Sequence, residues 1–155
     1  EIKPKGNPFF VVLDDVEKPG NLGAVLRTCD GAGVDALLVS DRKTDIYNPN
    51  VIRASIGAVF SVPTVQATQK QIYDFLAEQD AKILAADPEG SETYFMVDMN
   101  SSLAIVLGSE DKGLNDLWKE KADFKVSIPM RGKADSLNVS NTAAVLVYEA
   151  LRQRK

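Results

Sequence analysis

The sequence contains no histidine. Hydrolysis by a Ser-His-Asp triad, Cys-His proteolysis and histidine-ligated zinc are therefore excluded. Cysteine is almost absent too. Cys29 stands alone, so neither a disulfide framework nor a CxxC redox or zinc site can be built. It falls inside an apolar helical pattern and reads as a small buried residue, with a reducing cytoplasm as the natural compartment. No apolar run approaches the roughly 20 residues a membrane span needs, and no signal-peptide pattern opens the chain. No partnership with a membrane is expected. The phosphate-cradling pattern GxxxxGK[ST] is missing, which argues against P-loop phosphotransfer. Gly31-Ala32-Gly33-Val34-Asp35-Ala36 does match GxGxxA, but it precedes an apolar strand instead of following one, and reads as a helix stop and turn.

What is present describes one ordinary domain. The 155 residues are 45% apolar and 26% charged, close to soluble globular averages. The net charge of −4 is unevenly spread: residues 1–73 are neutral, 74–123 carry −8 and 125–155 carry +4. An acidic body with a basic C-terminal fifth is an unusual frame for a nucleic-acid binder. The chain opens on Glu1 instead of Met, and an upstream segment is expected.

Phe9 to Leu13, Ala36 to Val39, Lys82 to Ala86 and Leu103 to Leu107 are runs expected as strands, the first of them buried on both faces and the last also buried. Shorter strands are expected at Val62 to Val65 and Phe124 to Ile128. Helices are expected from Asn21 as N-cap through Cys29, over Pro49 to Ile56, from Thr68 through Leu76, over Asn115 to Lys121 and over Val139 to Gln153. This alternation predicts an α/β fold with a mostly parallel sheet flanked by helices. Ligands of such sheets bind beyond the carboxyl ends of the strands. Long polar loops follow three of those ends, at 14–23, 108–113 and 129–138.

Each polar residue in these loops also has an ordinary reading. Asn21, Ser136 and Asn138 suit helix capping. Arg27, within an otherwise apolar helix, reads equally as a surface residue or a structural ion pair. Glu110 fits a solvated loop charge, and Arg131, Lys133, Arg152, Arg154 and Lys155 a solvated basic face.

Their joint order is more specific. Asn21-Leu22-Gly23-Ala24-Val25-Leu26-Arg27, then Ile105-Val106-Leu107-Gly108-Ser109-Glu110, then Ile128-Pro129-Met130 through Ser136-Leu137-Asn138-Val139-Ser140 resembles the SpoU (TrmH-like) branch of the SPOUT RNA methyltransferases. The three blocks keep the family's order and span nearly the whole chain. The resemblance implies a SPOUT fold with a C-terminal deep trefoil knot, and residues 1–155 as one catalytic domain lacking an N-terminal RNA-binding extension. It implies S-adenosylmethionine as cofactor, held by Ala86, Leu107, Gly108, Gly113, Ile128, Met130, Ser136 and Leu137, with no metal. Arg27, Asn21, Glu110, Ser136 and Asn138 match the family's catalytic positions. The implied reaction is methyl transfer to a ribose 2′-hydroxyl of rRNA or tRNA by a cytoplasmic homodimer. Lys3, Lys5, Arg42, Lys43, Arg53, Arg131 and Lys133 are available to RNA phosphates. The alternatives are a SPOUT-like module that binds cofactor or RNA without transfer, and a SPOUT base methyltransferase. Asp111 departs from the family's usual Gly-Ser-Glu-Gly-x-Gly, although aspartate tolerates left-handed backbone better than most residues. Asn141-Thr142 stands where small or apolar residues are usual.

Overall fold

A computed structural model describes residues 6–16, 18–40, 46–109 and 111–154. The chain alternates β1 (Phe9–Asp14), α1 (Pro19–Ala32), β2 (Ala36–Ser40), α2 (Pro49–Ser55), β3 (Thr64–Ala67), α3 (Gln69–Glu78), β4 (Lys82–Ala86), β5 (Glu92–Thr93), β6 (Leu103–Leu107), α4 (Asp116–Lys121), β7 (Phe124–Ser127) and α5 (Val139–Gln153). A 3-10 turn (Ala58–Phe60) follows α2 and another (Tyr94–Met96) follows β5. The strands form one sheet in the order β3-β2-β1-β6-β4-β7-β5, and every pairing is parallel. β6 inserts between β1 and β4, and β7 between β4 and β5, so the last two strands fill gaps left by earlier ones.

The period-2 alternation of strands divides the core in two. Phe9, Val11 and Leu13 of β1 face one way and pack with Leu22, Val25, Leu26 and Cys29 of α1, Val51 of α2, and Val139, Ala143, Leu146 and Val147 of α5. Phe10 and Val12 face the other way, with Ile72 and Leu76 of α3 and Trp118 of α4. Both faces being covered explains why β1, β2 and β6 are buried along their whole length and read as unbroken apolar runs. Burial pushes the Cys29 thiol up to about 12, so it stays protonated. Among the described residues no helix is long and apolar enough to cross a membrane.

Several boundaries differ from expectation for local reasons. α1 begins at Pro19 with Lys18 as its N-cap, so Asn21 lies inside the first turn and caps nothing. Proline, with its fixed φ and no N–H, is well suited to the first helical position. Gly33, in left-handed conformation, closes α1, as the turn reading of the GxGxxA string requires. β3 lies two residues beyond its expected start, following Pro63, whose carbonyl accepts from Leu37 N–H at 2.9 Å. β5, two residues long and without an apolar side chain, carries no sequence signal. Thr68 caps α3 through a reciprocal pair with Gln71.

Candidate functional site: a cleft at the carboxyl ends of β4, β6 and β7

β4 ends at Ala86, β6 at Leu107 and β7 at Ser127, side by side in the sheet. After β7 the chain runs through residues 128–138 to reach α5. A cleft of about 740 Å³, part of it open to solvent, is lined by these strand ends and by part of that segment. Ala86, Leu107, Gly108, Gly113, Ile128, Met130, Ser136 and Leu137 all line it. Asp87, Ser109, Asp135 and Thr142 also line it, although none was among the expected cofactor-binding residues.

Two features of the backbone shape this cleft. First, the 108–113 loop folds tightly onto itself: Gly113 N–H donates to Ser109 C=O at 2.9 Å, and Lys112 N–H to Ser109 Oγ at 3.0 Å. A Cβ on Gly108 would collide with the Gly113 carbonyl and come within 2.8 Å of the Leu114 nitrogen, so only glycine fits. The left-handed residue of this loop is Gly113, at φ 67°, and Asp111 is not among the described residues with positive φ. The departure at Asp111 therefore needs no left-handed aspartate. Second, from Pro129 to Ser136 no backbone N–H or C=O bonds the backbone of another described residue. This segment offers unpaired donors and acceptors along a cleft whose other walls, Leu107, Val126, Ile128, Leu137 and Leu146, are apolar. Apolar walls with a few fixed polar groups suit a flat heteroaromatic ligand. The residues present thus fit the adenosine part of S-adenosylmethionine.

A second hollow of about 460 Å³ adjoins the first and shares Ser109 and Val139 with it. Asp15, Val16, Lys18, Asn21, Asp111 and Lys112 form the rest of its wall. Next to Asp15 in the chain, the carboxylate of Asp14 is fully buried, and the sequence motifs missed it. Asp14 Oδ1 accepts from Ser40 Oγ and, at 3.0 Å, from Gln69 Nε2; Oδ2 accepts from Asn115 Nδ2 at 2.6 Å. These bonds tie the ends of β1 and β2 to the starts of α3 and α4. Asp15 follows in a left-handed conformation (φ 59°) and pairs with Lys112 Nζ at 3.5 Å. A Val-Leu-Asp-Asp run after a buried strand was the available signal, because a strand-end carboxylate has neighbours on both sides to bond.

The motif residues are thus partly gathered. Asn21 lines the second hollow, and Ser136 the first. Asn138 is the N-cap of α5 at the mouth: its Oδ1 accepts from Ser140 N–H at 2.8 Å and Ser140 Oγ at 2.6 Å. Glu110 lies outside the described residues. Arg27 lines neither hollow. It is exposed on α1, and among the described residues it makes no ion pair or hydrogen bond, so the structural ion-pair reading fails. Gly23, Arg27 and Asp30 recur at helical spacing along one face of α1. Gly23 lets α2 approach closely, since a Cβ there would meet Ala54 and lie 2.8 Å from the Val51 oxygen. Asp30 Oδ1 accepts from Ser61 Oγ at 3.1 Å. Arg27 therefore stands on the side of α1 that borders α2.

Comparison with known proteins agrees with this architecture. The sequence model of the SpoU rRNA Methylase family matches residues 8–148. A TrmH-family protein of Bacillus subtilis is 37% identical over 148 residues, which are 95% of this chain and 59% of that one. A 23S rRNA uridine 2′-O-methyltransferase of Streptomyces viridochromogenes is 34% identical over 93% of this chain and 52% of its own length. The crystal structure of an RNA 2′-O ribose methyltransferase superposes with a TM-score of 0.92 at 44% identity, covering 99% of this chain and 59% of that chain. The SpoU methyltransferase AviRb of S. viridochromogenes, solved with AdoMet, superposes with a TM-score of 0.93 at 32% identity, over 98% of this chain and 60% of its own. The chain thus spans between half and three fifths of the length of these relatives. With the family's sequence pattern along nearly its whole length and the same sheet beneath it, the chain belongs to the SpoU rRNA methylase family.

Proposed function

We propose that this chain is the catalytic domain of a longer, cytoplasmic RNA methyltransferase that transfers the methyl group of S-adenosylmethionine to a ribose 2′-hydroxyl of rRNA or tRNA. The observation that carries this reading is the cleft at the carboxyl ends of β4, β6 and β7, with apolar walls and an unpaired backbone rim from 129 to 136. The relatives named as 2′-O-methyltransferases and the neighbour holding AdoMet favour it over a base methyltransferase or a binding module.

In this reading the backbone of Met130, Asp135 and Ser136 and the apolar side chains of Leu107, Ile128 and Leu137 would hold the adenosine part of the cofactor. When bound, the cofactor supplies an electrophilic methyl on a sulfonium centre. The neighbouring hollow takes the ribose, and Asn21 orients its hydroxyl groups. Asn138, by capping α5, holds Leu137 and Ser136 at the rim. Glu110 belongs to the same proposed set by its place in the motif. Arg27 stabilises the developing alkoxide and grips the adjoining phosphate while the hydroxyl proton passes to water, or itself accepts that proton in a setting that favours its neutral form. Because Arg27 stands outside the cleft of its own chain, the reading includes a homodimer in which it serves a cleft completed by the second copy. The threaded crossing of the family's knot is part of the same proposal.

Calorimetric titration of S-adenosylmethionine tests the cofactor half, with Asn138→Ala expected to weaken binding about tenfold or more and Arg27→Ala to leave it intact. The RNA half is read from alkaline cleavage of treated RNA: a 2′-O-methyl blocks the ladder at one nucleotide, and Arg27→Ala abolishes the block. A methyl found on a base, or transfer unchanged in Arg27→Ala, would overturn the reading.

A further inference from the structure

Residues 46–73 contain no aspartate or glutamate, although the chain carries 22 of them. This carboxylate-free segment presents large apolar side chains to solvent. Tyr47 is 57% exposed and Phe60 69%, and their rings are stacked, with centroids 6.2 Å apart and planes inclined by 26°. Ile56, also 69% exposed, sits beside them in the sequence at φ 54°, an unfavourable conformation for a β-branched residue. Arg53, one turn into α2, donates through Nη2 to Asn50 Oδ1, which holds its guanidinium against the helix surface. Arg27 lies on the face of α1 that borders α2, and Asp30 on that same face is engaged by Ser61. None of Tyr47, Arg53, Ile56 and Phe60 lines the cleft or the second hollow.

Exposed apolar groups that cluster, rather than scatter singly, mark an interaction surface. The segment supplies a stacked pair of aromatic rings and the fixed guanidinium of Arg53 with no carboxylate of its own, and the nearby Asp30 carboxylate is engaged by Ser61, on a chain whose net charge is −4. A polyanion is repelled by the acidic stretch 74–123, and this segment adds no like charge of its own. Unpaired bases stack on aromatic faces with little regard to sequence, while arginines meet the intervening phosphates. A base-paired duplex keeps its ring faces stacked internally and cannot use such a platform.

We infer that Phe60 and Tyr47, with Arg53 of the same segment, form a stacking platform for a single-stranded stretch of the RNA substrate, outside the catalytic cleft. This rests on the RNA-methylation reading above and adds to it the form of RNA and the residues that hold it.

The test is fluorescence anisotropy of a labelled mixed-sequence 12-nucleotide RNA with the whole chain, over a series of salt concentrations. Tyr47→Ala combined with Phe60→Ala is expected to weaken binding at least tenfold without changing the salt dependence. Arg53→Gln is expected to lower the slope of log affinity against log salt by about 0.7. Phe60→Trp should restore or strengthen binding in the Tyr47→Ala background. All variants should bind S-adenosylmethionine as the wild type does, which separates a lost platform from a lost fold. Wild-type affinity in the double alanine variant overturns the inference. So does a change from dimer to monomer in sedimentation, which would assign the face to a second copy of the chain. A wild-type chain that binds cofactor but no RNA also overturns it, leaving the cofactor half of the methyl-transfer reading standing. RNA held through this platform but never methylated would instead overturn the methyl-transfer reading alone.

Discussion

The two ends of α5 solve opposite problems. At its C-terminal end, Arg154 donates through Nη1 to the carbonyls of Met99 (3.1 Å) and Ser101 (2.6 Å) and through Nη2 to that of Asn7, with its guanidinium 5.0 Å from the Phe9 ring centre. Gln153 bridges Val97 C=O (3.1 Å) and Met99 N–H (2.8 Å). Loop backbone at the amino ends of the strands is thereby paired with side chains. At its N-terminal end, the eight residues 129–136 leading into α5 leave their backbone unpaired with other described backbone, beside an apolar cleft. The same helix is stapled at one end and offers binding groups at the other. Loops that bond internally add stability, and loops that do not are available to a ligand.

That contrast can be broken from either end. The largest effect is expected from Gly108→Ala, because the new Cβ meets backbone that cannot swing aside. We expect a stability loss of about 1–3 kcal/mol and loss of measurable cofactor binding, read by thermal unfolding and calorimetry together. Next comes Arg154→Ala, which leaves several carbonyls without their charged donor. It should cost about 1.5–3 kcal/mol, lowering Tm by several degrees, while cofactor affinity stays within about twofold of wild type. A large affinity loss here would show that the two ends of α5 are coupled. The smallest stability effect is expected from Asn138→Ala, which removes the cap of α5 at a cost of about 1 kcal/mol. Its cofactor affinity should fall by more than its stability, the reverse of Arg154→Ala, and Asn138→Ser should recover most of the stability.

Much of the fold was legible in the sequence. β1, β2, β4 and β6 lie within a residue of the apolar runs that announce them, since a parallel strand covered on both faces must be apolar at every position. Thr68 and Asn138 announce their helices because a cap is a local bond. Asn21 misled for the same local reason: Pro19 took the start of α1 and left Asn21 to the second hollow. The order of strands was not legible, because β6 and β7 insert between strands that lie apart in the sequence. Nor was the Asp14 network, whose partners Gln69 and Asn115 lie 55 and 101 residues away.

By itself, then, the sequence determined most of the elements and the family pattern, since side-chain periodicity, caps and turns act within a few residues. Only the tertiary structure decided which loops meet. It gathered residues near positions 86, 108, 128 and 136 around one cleft, put Asn21 in the hollow beside it, and left Arg27 on an outer face bordering α2. The reason is physical: a parallel sheet brings strand ends together through backbone pairing between distant segments, and helical periodicity along α1 turns Arg27 away from the strand ends that its neighbour Asn21 reaches.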